Sequence, residues 1–143
     1  MTTRTAKGGA ATRSVNTLVG MVLGVVYLLV GLVGFTVTGG TDFAAHHGNK
    51  LLGLFEINPL HNLVHILVGV LLAGAAYAGL GLSRAVNTLV GAIYLFVGVI
   101  GLFILDNSAN ILALNGFDNV LHFGSALVLL GIGLAADREL STS

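Results

Sequence analysis

The sequence predicts an all-α membrane protein, a bundle of four transmembrane helices built from two tandem two-helix repeats. Three observations support this fold class. Hydrophobic residues make up 55% of the 143 residues and charged residues only 8%, too few charges to solvate the surface of a globular domain of this size. Long apolar segments occur four times along the chain. Blocks of sequence also occur twice, which indicates an internal duplication.

The composition excludes several classes of function. The chain has no cysteine, so it offers no disulfide, thiolate metal site or cysteine nucleophile. Its formal net charge is zero and it has no basic patch, so no nucleic-acid partner is expected. No nucleotide-binding loop or Ser/His/Asp triad is visible, and no motif demands that the chain is an enzyme.

The first helix is predicted from Val15 to Val37, long enough to cross about 30 Å of hydrocarbon. It is too long for the apolar core of a signal peptide, so we expect it to be retained. Residues 1–14 before it are polar and basic and should form a cytoplasmic arm. After it we expect an outer loop at residues 38–57, where the mixed segment from Phe43 to Ile57 could form a short interfacial helix.

The second helix is predicted to begin after Asn58, because asparagine is a favoured N-cap and Pro59 suits the first helical position. It continues to about Ala78, and residues 79–84 are predicted to form a tight connection.

The third helix is predicted from Ala85 to Leu105, and the polar residues of a second outer loop, 106–115, end it. Asn115 caps the fourth helix, which is predicted from Gly116 to Ala135. Residues 137–143 should form a cytoplasmic tail.

The duplication defines two repeats, residues 15–80 and residues 81–136. The block from Arg13 to Gly20 matches the block from Arg84 to Gly91 at all but one position. Each repeat is a two-helix hairpin, and its even number of crossings keeps both copies in the same orientation. The expected symmetry is therefore a pseudo-two-fold axis along the membrane normal.

Basic residues set the expected orientation in the membrane. Those on one side of the predicted helices are Arg4, Lys7, Arg13, Arg84 and Arg138. The other side has only Lys50, beside three acidic residues. We therefore expect a multi-pass protein of the inner (plasma) membrane with both termini in the cytoplasm and the lipid bilayer as its first partner.

A polar motif begins the second helix and recurs at the start of the fourth. In the first copy Asn58, His61, Asn62 and His65 stand at i, i+3, i+4 and i+7, on one face of a helix. The second copy consists of Asn115, Asp118, Asn119 and His122. Polar side chains at membrane depth should face the bundle and not lipid, so the two motifs are expected to face each other.

These motifs and the loop before the first of them resemble a known family. Phe43 to His47, Leu51 to Phe55, Leu60 to His65, Leu114 with Asn115, and Asp118 to His122 are similar to the signature of four-helix integral membrane proteins common in actinobacteria. Gly116 and Phe117 depart from that pattern. That family is described only as a domain of unknown function. The resemblance covers nearly the whole chain after residue 14. It implies a four-span membrane protein but carries no activity, cofactor or partner.

The functional hypothesis from the residues is a binding module in the outer leaflet. His61 and His65 are one helical turn apart, and with Asp118 and His122 of the facing helix they could bind a transition metal ion such as zinc, iron or copper.

A variant of this hypothesis is a haem or another polar ligand. Facing histidines of a helical bundle can hold haem between them, here His65 and His122. The residues expected at such a cofactor site are His65, His122, Asn62, Asn119, Tyr27 and Tyr94.

A structural interpretation competes with both hypotheses. Asn58 and Asn115 are ordinary caps, Asp118 suits the start of a helix, and the other polar side chains could hydrogen-bond between helices. The chain would then be an accessory subunit of a larger membrane complex or a homo-oligomer, docked through glycine-rich faces. Gly20 with Gly24, Gly31 with Gly34 and Gly98 with Gly101 mark close helix packing. A minimal transporter or proton path is a third alternative, and the sequence leaves all three open.

Overall fold

The computed structural model describes residues 14–138, and four α-helices form most of it. The helices are α1 (Val15–Gly34), α2 (Pro59–Ala78), α3 (Leu80–Ile104) and α4 (Gly116–Ala135). Two short strands, β1 (Asn49–Leu51) and β2 (Phe55–Ile57), lie between α1 and α2. All four helices are long and apolar enough to cross a membrane, so the predicted fold class is confirmed.

The two predicted polar ends of the chain are described only in small part. Of the predicted arm, residues 1–14, only Ser14 lies within the described residues. Residues 139–143 of the predicted tail lie outside them, as do Arg4, Lys7 and Arg13.

The starts of α2 and α4 follow the predicted capping chemistry. The Asn58 side chain accepts a hydrogen bond from the His61 N–H at 2.8 Å, and Pro59 occupies the first turn. Asn115 and Asp118 form a capping box, in which each side chain accepts a hydrogen bond from the other residue's backbone N–H. Both helices have the predicted ends, Ala78 and Ala135.

The connections at the other helix ends differ from the prediction. Residues 79–84 are not a tight connection, because α3 begins at Leu80 and Gly79 alone, with φ of 130°, turns the chain. Ser83, inside the extended α3, is buried and donates a hydrogen bond to the Asn16 carbonyl oxygen. At the other side α1 ends at Gly34, and the residues after it, up to Val37, form turns.

The predicted interfacial helix between Phe43 and Ile57 was wrong. Its second half is an antiparallel hairpin in which Asn49 pairs with Ile57 and Leu51 with Phe55. The turn between the strands places Leu52 (φ 55°) and Gly53 (φ 73°) in the left-handed region, which ends any helix there.

Glycines let the helices approach each other closely within each half of the chain. A Cβ on Gly24 of α1 would lie 2.9 Å from the Gly69 carbonyl oxygen of α2. A Cβ on Gly91 of α3 would lie 2.8 Å from the backbone nitrogen of Leu130 in α4. The paired glycines predicted to mark close helix packing, Gly20 with Gly24, Gly31 with Gly34 and Gly98 with Gly101, all pack within the chain.

A polar network joins α1, α3 and the end of α4 at the end of the bundle opposite the hairpin. Asn87 donates to the backbone and side-chain oxygens of Asn16, at 3.0 and 3.1 Å. The Asp137 carboxylate accepts hydrogen bonds from the Asn16 N–H, the Asn16 side chain and the Ser14 hydroxyl, all within 2.9 Å. Asp137 therefore caps the first turn of α1 from the far end of the described chain.

The outer surface of the bundle is apolar and the small core lies on its axis. Tyr27, Tyr94, Leu72 and Leu129 are buried at the centre. Large apolar side chains such as Leu127, 77% exposed, point outward. An apolar outer surface of this kind is expected where lipid, not water, surrounds a protein.

Candidate metal centre

Three histidines meet inside the bundle, near its hairpin end. His61 and His65 come from consecutive turns of α2, and His122 comes from α4, diagonally across the centre. One ring nitrogen of each lies within 4.8 Å of those of the other two. Their exposed fractions are only 1%, 3% and 4%. The two polar motifs therefore meet inside the bundle through these three histidines, as predicted.

The three rings form one compact cluster. The ring centroids of His61 and His65 are 4.4 Å apart, and those of His61 and His122 are 6.3 Å apart with nearly parallel planes at 27°. His65 and His122, which were expected to hold a haem, belong to this same cluster with His61. A single ion needs only the convergent ring nitrogens, whereas a porphyrin would need a flat open slot between its two axial ligands.

The ring nitrogens of this cluster lack partners. Both nitrogens of His61, both of His65 and Nδ1 of His122 are buried with no hydrogen-bond partner among the described residues. The backbone carbonyls of Glu56 and Leu112 face the His61 ring without reaching hydrogen-bond geometry. Each unsatisfied buried polar atom costs about 1–3 kcal/mol. Several such atoms at one point make the cluster a candidate binding site.

The two outer loops cover the cluster. Ile57 of β2, and Ala113 and Leu114 of the loop before α4, are almost completely buried there. The Asn58 side chain donates hydrogen bonds at 2.8 Å to the backbone oxygens of Ala45 and Ile111, one in each loop. Asn58, which caps α2, therefore also holds both outer loops over the histidines.

Two tyrosines that were expected at a cofactor site, Tyr27 and Tyr94, lie against the histidine cluster. The Tyr27 ring lies 5.3 Å from His65 and the Tyr94 ring 5.1 Å from His122. The tyrosine rings meet edge-to-face at 5.3 Å. The Tyr27 hydroxyl forms a hydrogen bond with the Ser125 hydroxyl of α4.

The two asparagines expected to orient ligands lie against glycines of the neighbouring helices. Asn62 packs on Gly34 and donates to the Thr38 hydroxyl at 3.1 Å. Asn119 packs on Gly101, and its amide is buried with no partner within the described part of the chain. No hydrogen bond between these amides and the histidines occurs in residues 14–138.

Asp118 lies apart from the three histidines. Its carboxylate accepts the Asn115 N–H at 3.0 Å in the capping box. It is absent from the group of side chains whose ligand atoms converge. Asp118 and His65 do border the same cavity, which lies between α1 and α4.

The sequence reasoning missed Ser125 and the loop residue Asn110. Ser125 is the only hydroxyl in α4 and follows His122 by three residues, so its position on the inner face was a usable signal. Asn110 is buried and bonds the backbone of Leu105 and Leu114, which shapes the second loop. Its role depends on a local loop conformation that no periodicity shows.

The comparisons with known proteins agree with this architecture. The family model of the domain of unknown function DUF4383 matches residues 17–135. The chain belongs to this family. The DUF4383 match includes α1 from its third residue onward, the other three helices, both outer loops and all three clustered histidines. Neither a curated protein nor a solved structure matches the chain.

Proposed function

We propose that this protein binds a transition metal ion inside the membrane through His61, His65 and His122. The single observation that carries the proposal is the convergence of three buried imidazoles with unpartnered ring nitrogens. An isolated structural histidine is ordinarily satisfied by a hydrogen bond. Here three buried imidazoles converge, and each has at least one ring nitrogen without a hydrogen-bond partner among the described residues, as a metal ligand needs.

The ligand type limits the ion. Three neutral imidazoles suit zinc, copper, nickel or iron, whereas magnesium and calcium prefer oxygen ligands. Three histidines also leave a position of a tetrahedral ion free for water or another ligand. The Asp118 carboxylate is not among the converging ligand atoms, so a three-histidine site is the simpler arrangement.

We also propose that the chain consists of two repeats, residues 15–80 and 81–136, about a pseudo-two-fold axis. Two pairs of contacts support this. Gly34 packs on Asn62 as Gly101 packs on Asn119. Asn58 bonds the Ile111 carbonyl as Asn115 bonds the Leu54 carbonyl. The metal site would then lie close to the axis, with two ligands from one repeat and one from the other.

The proposed location is the inner (plasma) membrane with both termini in the cytoplasm. Arg84 and Arg138 lie at the end of the bundle that carries the Asn16 network, whereas Asp42, Glu56 and Asp106 lie toward the histidine end. This asymmetry follows the positive-inside rule. The metal site would consequently lie in the outer leaflet.

Elemental analysis of the detergent-purified protein tests the proposal. About one zinc, copper, nickel or iron per chain is expected after loading and gel filtration. His61→Ala, His65→Ala and His122→Ala should each lose it. The matched controls are His46→Ala and His47→Ala, which remove exposed histidines of the first outer loop and should retain the metal.

A wild-type protein that stays metal-free after loading would overturn the proposal. The accessory-subunit alternative would then be the better one, with the histidines as packing residues. That alternative has less support, because the glycine pairs Gly20 with Gly24, Gly31 with Gly34 and Gly98 with Gly101 pack inside the chain. The transporter or proton-path alternative predicts metal or proton flux into liposomes, which a static binding site does not.

A further inference from the structure

A cavity of about 200 Å³ lies between α1 and α4, beneath the hairpin. Its walls are apolar side chains of α1, of α4 and of the hairpin, among them Val26, Leu51 and Phe55. These two helices contact each other far less than the pairs α1 with α2 and α3 with α4 do. The bundle is therefore open to the lipid on this side.

The inner end of this cavity is polar. His65, Tyr27 with its partner Ser125, and Asp118 border it. His65 is 3% exposed, and neither of its ring nitrogens has a partner within residues 14–138. A metal ion uses one imidazole nitrogen, so the other is free to bond a second ligand. A gap that only separates two helices would need no polar side chains at its inner end.

An apolar groove continues from the cavity along the surface between α1 and α4. The groove has a volume of about 580 Å³ and shares Leu23, Phe55, Leu121 and Ser125 with the cavity. Its remaining walls are aliphatic and aromatic side chains such as Leu18 and Phe117. Cavity and groove together form one path from lipid to the histidine cluster.

We infer that this path binds a neutral, single-tailed amphiphile from the lipid phase, with its head in the cavity and its hydrocarbon tail in the groove. The head accepts or shares hydrogen bonds with His65 and with the Tyr27–Ser125 pair. A ring-shaped head with carbonyl or hydroxyl oxygens, as in a quinone, fits the volume and can pack on Tyr27 and Phe55.

The charges of the cavity favour a neutral head. None of the described residues that border it is a lysine or arginine, so a carboxylate or phosphate head would find no positive partner there. A charged head of either sign would also have to leave water for a mostly apolar site. The inference does not depend on the metal, because His65 can donate a hydrogen bond in the metal-free protein.

The experiment is native mass spectrometry of the detergent-solubilised protein with two probes. One is a fully substituted benzoquinone with a decyl tail, and the other is decanoate. The quinone is expected to give a one-to-one complex in both metal-free and zinc-loaded protein, and decanoate is expected to bind at least about tenfold more weakly.

Two tryptophan variants localise the binding. Val26 is 46% exposed and borders the cavity, whereas its neighbour Val25 is 44% exposed and does not. Val26→Trp should fill the mouth of the cavity and lower quinone affinity about tenfold or more. Val25→Trp places the same bulk in lipid and should bind as the wild type does. Both variants should retain zinc, since neither position belongs to the histidine cluster.

Three results would overturn the inference: no complex with the quinone, equal binding of decanoate, or equal binding by the two tryptophan variants. Each is independent of the metal proposal, because zinc content is measured on the same samples. A protein that binds the quinone but no zinc would retain the cavity site and lose the proposed function.

Discussion

Asn58 and Asn115 each cap a helix and, with the same side chain, bond the opposite half of the chain. The Asn58 amide donates to the Ile111 carbonyl at 2.8 Å, and the Asn115 amide donates to the Leu54 carbonyl at 2.7 Å. Each residue thus joins a helix start to the loop of the other half. The closed cover over the three histidines depends on this exchange.

Replacing Asn58 should separate these two roles. Asn58→Ala removes both the cap and the two amide bonds, and should lower the free energy of unfolding by about 2 kcal/mol. Asn58→Ser keeps an oxygen that can cap α2 and loses only the bonds to the loops, so about half of that loss is expected. Thermal unfolding in detergent measures both. Equal stability of the two variants would show that the loop bonds contribute nothing.

Close helix packing predicts that alanine substitutions at two glycines of the bundle will affect stability differently. Gly24→Ala places a methyl group against the backbone of α2, which cannot move aside, and should destabilise the protein by about 1–3 kcal/mol. Gly74→Ala adds the same methyl where no described atom lies within 4 Å, and should be neutral or stabilise by up to about 1 kcal/mol. Thermal unfolding of the two variants under identical detergent conditions tests this. A similar loss in both would mean that helix contact is not what Gly24 permits.

Asp137 should make stability depend on pH. Its burial alone would raise the pKa of the carboxyl, but hydrogen bonds from Asn16, Ser14 and Val15 outweigh this and lower the pKa to about 2. A lowered folded-state pKa means that the ionised carboxylate stabilises the fold above about pH 4. This contribution disappears as the pH falls through about 2.

The variant Asp137→Asn isolates this contribution. It should be less stable than wild type at pH 6 by about 1 kcal/mol, since partial exposure screens the charge. The difference should shrink between pH 4 and pH 2 and vanish near pH 2. Unfolding curves of both proteins across this range provide the measurement, and a difference that is independent of pH would contradict the role of the charge.

The sequence was sufficient for the number of helices and for the ends of α2 and α4, but not for the end of α1, the start of α3 or the loops. Apolar length and capping residues gave α2 and α4 with their observed ends. The hairpin was missed because its strands have only three residues each, too short for a period-two pattern, and its leucines suit a helix equally well. Only the left-handed turn at Leu52 and Gly53 distinguishes a hairpin from a helix in this segment. Gly53 was the one sign of that turn in the sequence.

The candidate site was predictable to the extent that it follows helical periodicity. The spacing of His61 and His65, and the recurrence of the motif at His122, placed all three on inner faces. The sequence also grouped Asp118 with them, since His61 and Asp118 hold equivalent positions in the two motifs. It could not show that the Asp118 side chain turns back to the Asn115 N–H, because capping and inward orientation use the same position of the first turn.

Metal binding should stabilise the fold in proportion to the excess of metal over its dissociation constant. At a hundredfold excess the gain is about 2.7 kcal/mol, because the unfolded chain does not assemble the three histidines. The shift in thermal unfolding should shrink as the pH is lowered, since protons compete with the ion for the imidazole nitrogens.

The variant His122→Phe distinguishes a ligand from a packing residue. Phenylalanine keeps the ring and removes a buried nitrogen that has no partner in the described structure, so the metal-free variant should unfold no earlier than metal-free wild type. It should nevertheless gain nothing from zinc, whereas His46→Ala should gain as much as wild type does. Should His122→Phe be strongly destabilised without metal and still respond to zinc, His122 would be a packing residue, and the ion would bind elsewhere.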